Sequence, residues 1–218
     1  GCGTAAELPI HPLCSLYDAA YASHFSYDPE RFTAAMEAAD VGDFDEDEEL
    51  EFKVSGVTVE LSLKFIVCTE SAQKVSAARY ITSALTELGY NVTLYEYSWD
   101  DYYYALYNGL YDMYYGEIML TADFDLSDLL DYGGAANYSR GYTLRYADAI
   151  SAYLGSGTEE ERRENFDLMC QLIAEDAYIT AVCFEKRQVL THRGTVSGIN
   201  ATRYNSFNAF QDWTIELT

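Results

Sequence analysis

The sequence predicts an α/β fold: a mixed, partly parallel sheet flanked by helices. Three observations carry this expectation. Between residues 61 and 120 the pattern runs strand, helix, strand, helix, strand, and strands joined through helices pair in parallel. Of 218 residues, 49% are hydrophobic, enough for one sizeable core or one large domain with an extension. Only 3 prolines and no low-complexity tract occur, so most of the chain is expected to be ordered.

The elements follow in order. Residues 1–26 carry glycines, Pro9 and Pro12 without periodicity and read as an extended arm. In YDPERFTAAMEAADVG (27–42), Asp28 caps a helix that starts at Pro29. Phe32, Met36 and Ala39 recur at helical spacing, and Gly42 ends it. From Leu50 the period becomes two: Leu50, Phe52 and Val54 alternate, and Ser55-Gly56 turns the chain. Val57, Val59, Leu61, Leu63 and Phe65 return, giving a hairpin that leads into a long strand through Cys68. Residues 71–89 form a helix with Val75, Ala78, Leu85 and Leu88 on one face and Gly89 as its stop. A strand follows at 90–97, then a short helix at 98–109 between Ser98 and Gly109, then a strand at 111–120. The second half is more helical, with one helix within 142–154 and a clearer one at 158–176. In the latter, Thr158 and Glu161 make a capping box, and Phe166, Met169, Cys170 and Ile173 make the buried stripe. One or two strands are expected in 177–193, and a short extended piece containing Trp213 ends the tail. The divisions are therefore 1–49, an arm and helix; 50–193, the α/β lobe; and 194–218, a return segment. No internal repeat is present.

A net charge of −23 repels phosphate backbones and anionic membranes, so nucleic acid is excluded as a partner and cationic ligands are weakly favoured. No apolar run approaches the ~20 residues of a membrane span. The opening Gly1-Cys2-Gly3 superficially resembles the end of a lipoprotein signal, but no apolar segment precedes it, so the chain reads as starting within a longer protein. Five cysteines are too few for a disulfide scaffold. Cys68, Cys170 and Cys183 sit in apolar patterns and read as buried, whereas Cys2 and Cys14 are free to pair or not. In GDFDEDEELE (42–51), Asp43, Asp45 and Asp47 match EF-hand positions 1, 3 and 5. Glu48 stands where glycine is needed and Val54 where the closing glutamate is needed, so the stretch reads as a solvated acidic turn. His11, His24 and His192 are scattered, which argues against zinc. No phosphate-binding glycine loop or nucleophile motif occurs, so no catalytic residue, metal ligand or cofactor is expected. The 21 tyrosines, clustered at 102–104 and 114–115, serve packing at element edges or line a ligand cleft.

The stretch YDMYYGEIMLTADFDLSDLL (111–130) places Asp123 and Asp125 at the end of a strand. Asp125 is positioned to cap the following helix. Asp123 falls where open α/β sheets hold ligands, and a carboxylate there can pair with an ammonium group. Tyr115, Glu117, Thr121 and Phe124 share that edge.

The order of motifs across residues 8–217 resembles the second lobe of family 5 extracellular solute-binding proteins, the oligopeptide-, dipeptide- and nickel-binding components of ABC importers. The elements that carry it are Leu85–Gly89, Asn91–Tyr97, Trp99–Tyr102, Tyr111-Asp112-Met113, Ala122-Asp123-Phe124 and the helix and β segment at 160–184. The version at 115–125 looks like a Gram-positive subgroup. The resemblance implies one lobe of a periplasmic-binding-protein-like type II fold, with residues 1–49 near the inter-lobe hinge. It implies a non-enzyme that captures a peptide or small solute, delivers it to a membrane permease and works as a monomer. It also implies an extracellular lipoprotein or periplasmic location, with the first lobe, signal and anchor upstream. Asp123 takes the role of the family's aspartate that pairs with a peptide's amino group; Leu120 departs from the family's frequent tryptophan. The alternatives are an extracellular surface interaction or adhesion domain, and a hydrolase using Asp123 and Glu117 as a carboxylate pair.

Overall fold

A computed structural model describes residues 3–139, 144–186, 189–192, 194–202 and 205–216. Strand β1 (Gly3–Ala5) pairs antiparallel with Cys183–Glu185, so the two halves of the chain meet at once. The segment expected as an extended arm is packed along its length: Leu8, Ile10, Leu16 and Ala22 are buried. These residues show no period because they enter the core through turns, with the Cys14 amide on the His11 carbonyl and Tyr17 on Cys14. Helix α1 (Ala19–Ala22) is capped by Asp18. Helix α2 (Pro29–Ala38) starts as expected, with Asp28 accepting the Arg31 amide at 3.0 Å. The chain then forms β2 (Val41–Gly42), β3 (Glu51–Val54) and β4 (Val57–Glu60), a three-stranded antiparallel sheet. Neither face of the hairpin is buried as a stripe: in β3 only Glu51 is buried and Phe52 half-buried, and all of β4 is exposed, Val57 and Val59 included. Glu51 turns inward because the preceding acidic loop needs an acceptor for the Phe44 amide.

The long strand expected through Cys68 breaks at Leu61. Beyond it, β5 (Ser62–Cys68) belongs to a separate, fully parallel sheet. Helix α3 (Ala72–Glu87), β6 (Asn91–Tyr97), helix α4 (Trp99–Asn108) and β7 (Met113–Tyr115) complete it, in the order β6-β5-β7. Ser71 caps α3 and Ser98 caps α4, and Gly109 closes α4 in the left-handed conformation expected of a glycine stop. Central β5 is covered on both faces, which explains its unbroken run Phe65-Ile66-Val67-Cys68. Phe65 and Val67 pack with Val75 and Ala78 of α3. Ile66 and Cys68 pack with Tyr102, Ala105 and Leu106 of α4. The last strand is much shorter than 111–120. The Tyr115 carbonyl accepts the Tyr102 hydroxyl at 2.9 Å instead of a ladder partner. A side chain at Gly116 would put its Cβ 2.8 Å from the Tyr114 ring.

Helices α5 (Ser127–Leu130), α6 (Leu144–Leu154) and α7 (Glu159–Asp176) form the second core with the N-terminal segment. Tyr146, Ile150, Tyr153, Phe166, Met169, Cys170 and Ile173 fill it. The capping box forms as read: the Glu161 amide donates to Thr158, and Glu161 accepts the Thr158 amide. Residues 177–193 contain β8 (Cys183–Glu185). Cys183 is exposed there, not buried as expected, because a three-residue pairing with β1 covers little of it. Cys68 and Cys170 are buried; the pairing of Cys14 with Cys2 falls outside the described residues. Strands β9 (Val196–Ser197) and β10 (Thr214–Ile215) pair antiparallel as the return segment. Among the described residues, no helix is long and apolar enough to cross a membrane.

Candidate functional site

Parallel pairing points the C-terminal ends of β5, β6 and β7 to one edge, the edge where open α/β sheets bind ligands. Tyr115 ends β7 there. Its hydroxyl bonds to Cys183, and burial, then the charges of Cys183 and Glu117, hold its pKa above the usual tyrosine value. Glu117 is exposed and ion-paired with Lys74 of the first turns of α3. That pair ties the loop after β7 to the loop after β5.

Thr121, Asp123 and Phe124 form a separate turn, not a strand end. The Phe124 amide bonds to the Thr121 carbonyl at 3.2 Å, and the Asp125 amide to the Thr121 hydroxyl oxygen at 3.1 Å. The Thr121 hydroxyl in turn supports the Asp123 carboxylate. That bond, with the Asp123 and Asp125 amides and the Arg162 charge, holds the Asp123 carboxyl below the usual aspartate pKa against some desolvation. Asp123 is therefore an exposed, ionised acceptor at neutral pH. From below, the buried Tyr153 hydroxyl donates to the Asp123 carbonyl. The Arg162 guanidinium lies 5.1 Å over the Tyr153 ring.

Phe124 has φ +56°, a conformation bulky residues rarely adopt. Its ring is held edge-on to Phe184 at 6.3 Å, and Phe184 meets His11 at 5.2 Å. Strand β8 thus joins the two groups: Cys183 touches Tyr115, and Phe184 touches Phe124. Asp125 performs the expected service to α5 by accepting the Ser127 amide at 2.9 Å, although Leu126 occupies the cap position. The five candidate residues form two clusters, Tyr115 with Glu117 and Thr121 with Asp123 and Phe124, and β8 contacts both. Sequence reasoning missed Tyr153, Arg162, Phe184 and Lys74, because each is distant in sequence and carries no local signal. Tyr102 and Tyr114 are packing residues, whereas Tyr103 and Tyr104 are exposed.

The carboxylates of a hydrolase pair are engaged separately, Glu117 by Lys74 and Asp123 by Thr121. An open groove of ≈ 370 Å³ runs between α3 and β6, lined by Thr69, Val75, Arg79 and Glu96. Arg79 and Glu96 bridge it with two hydrogen bonds, and none of the five candidates lines it.

No protein-family model matches the sequence, and no curated protein matches it. Solved structures do match. The oligopeptide-binding protein AppA from Bacillus subtilis, in complex with a nonapeptide, aligns at TM-score 0.69 and 15% identity over 99% of this chain and 43% of its own. A periplasmic oligopeptide-binding protein of an ABC transporter from Thermotoga maritima aligns at 0.75 and 15%, over 94% and 41%. NikZ from Campylobacter jejuni, in complex with Ni(L-His), aligns at 0.67 and 13%, over 98% and 44%. The chain thus has the fold of one lobe of a periplasmic-binding-protein-like type II architecture and spans less than half the length of these binding proteins.

Proposed function

We propose that the chain is the second, ligand-binding lobe of a family 5 solute-binding protein of an ABC importer. It captures a peptide or similar small solute in a cleft completed by another lobe, closes about a hinge, and delivers the solute to a membrane permease. It performs no chemistry and acts at the cell surface on a lipid anchor or in the periplasm. The fold shared with peptide- and nickel-complex-binding proteins supports the class. The observation that carries the site is the exposed, ionised Asp123 on a turn held by Tyr153 from below and Phe184 from the side. Asp123 is the anchor for a ligand amine, with Tyr115, Glu117, Thr121 and Phe124 flanking it.

The test is titration of peptides into a two-lobed protein carrying this lobe, with and without Asp123→Ala. If the closed cleft desolvates the ion pair, the substitution costs about 3–5 kcal/mol. In the isolated chain Asp123 is open to water, so the same pair contributes only about 0–1 kcal/mol and binding is weak. Unchanged two-lobed affinity in the variant sinks the anchor role; isolated-lobe affinity equal to two-lobed affinity sinks the cleft.

A row of exposed rings on α4, Trp99, Tyr103, Tyr104 and Tyr107, favours the second reading, a surface interaction domain. Thermal-shift screening of the two-lobed protein with peptides and nickel separates the two: the transport reading expects a shift with one of them, the surface reading with neither.

A further inference from the structure

The loop between β2 and β3 folds its acidic residues inward. Carboxylate oxygens of Asp43, Asp45, Asp47 and Glu51 all lie within 4.8 Å of one another. Asp43 organises the loop by accepting the amides of Glu46 at 2.7 Å, Asp47 at 3.1 Å and Glu48 at 3.0 Å. A cluster of acids is often only a solvated turn, and three of these four are exposed.

Glu51 is different. Only 1% of it is exposed, at the start of a strand whose valines face solvent. One carboxylate oxygen accepts the Phe44 amide at 2.7 Å. The other, Oε1, is buried with no hydrogen-bond partner. A buried carboxylate oxygen without a donor, on a side chain clustered with three more carboxylates, is strongly unfavourable unless a cation or a proton lies among them. The nearest lysine, Lys53, lies over the Phe44 ring at 3.9 Å, and no ion pair among the described residues includes the four acids.

We propose that Asp43, Asp45, Asp47 and Glu51 form a binding site for one divalent cation, and that the cation is calcium. The ligands are all carboxylate oxygens, which suits calcium, whereas Mg²⁺ demands near-ideal octahedral geometry and zinc prefers nitrogen or sulfur. The spacing differs from an EF-hand loop. The buried glutamate closes the site at the ninth position, and Glu48 reaches φ +73° without a glycine. The loop is clamped to the start of β6: the Leu50 amide bonds to the Gly89 carbonyl at 2.7 Å and the Asn91 amide group to Glu49 at 3.0 Å. The cation therefore pins the β2–β4 sheet to the start of β6 in the parallel sheet.

The experiment is thermal unfolding of the full chain, stripped with EDTA, then titrated with CaCl₂ or MgCl₂. At a hundredfold excess over Kd, mass action on a chain this size raises Tm by about 5–10 °C. Calcium is expected to do so, and magnesium to do less. Asp45→Asn and Glu51→Gln should each abolish most of the calcium shift, and Glu51→Gln should match or exceed the stripped wild type in Tm, because it buries no charge. If Glu51→Gln does not fold, exposed Asp45→Asn gives the same readout. A wild-type calcium shift no larger than that of magnesium, or a full shift in Asp45→Asn, overturns the proposal.

Discussion

Tyr153→Phe isolates the support beneath the candidate anchor. The ring is 1% exposed, packs on Phe166 at 5.6 Å and carries the Arg162 guanidinium at 5.1 Å. The ring packing survives in phenylalanine; the hydroxyl, bonded to the Asp123 carbonyl and to the Arg162 side chain, is lost. Asp123 is exposed, so water can replace the hydroxyl there, and the two net hydrogen bonds together cost about 1–3 kcal/mol. For a chain this size that is a fall in Tm of about 2–12 °C. Tyr153→Ala removes the ring as well and should cost about 3–5 kcal/mol, the range of a deleted buried aromatic. Urea unfolding of the two variants beside wild type gives both numbers. Equal losses in the two, or none in Tyr153→Phe, would refute the idea that this hydroxyl holds the turn. In a two-lobed protein, Tyr153→Phe should also weaken peptide binding, by less than Asp123→Ala.

Other outcomes follow from the same packing. Thr158→Ala removes the N-cap of α7 and should destabilise the chain by about 1 kcal/mol; a loss below about 0.5 kcal/mol, the low end seen in peptide hosts, would mean the capping box contributes little. Thiol labelling read by peptide mass should modify exposed Cys183 in the native chain and leave Cys68 and Cys170 untouched until urea unfolds it. Burial, then the nearby Asp167 charge, raises the Cys170 thiol pKa well above its usual value, so its early labelling would contradict the packing of α7.

Much of the fold is legible along the chain because its signals are local. Asp28, Ser71, Ser98 and Thr158 cap the helices that their neighbours predict, and Gly109 stops α4. Each such signal acts within one turn of backbone. The hairpin was misleading for the same reason: alternation shows which residues share a face but not which face meets the core. In β3 neither face is buried throughout: Glu51 is buried where it accepts a loop amide seven residues away, and Phe52 is half-buried. The continuous apolar stretch 111–120 overstated β7, since only β5 is there to pair with it.

The candidate site divides the same way. The sequence by itself determined that a carboxylate follows the last parallel strand, that Asp125 serves the next helix, and that seven acids crowd residues 43–51. Tertiary structure decided what those groups can do. It brought Tyr153 and Arg162 beneath Asp123 and set β8 between Phe124 and Tyr115. It also buried Glu51, clustered with three other carboxylates, and left one of its oxygens without a donor. Whether a carboxylate is solvated, hydrogen-bonded or forced to seek a cation depends on burial and on partners remote in sequence, and neither is set by local spacing.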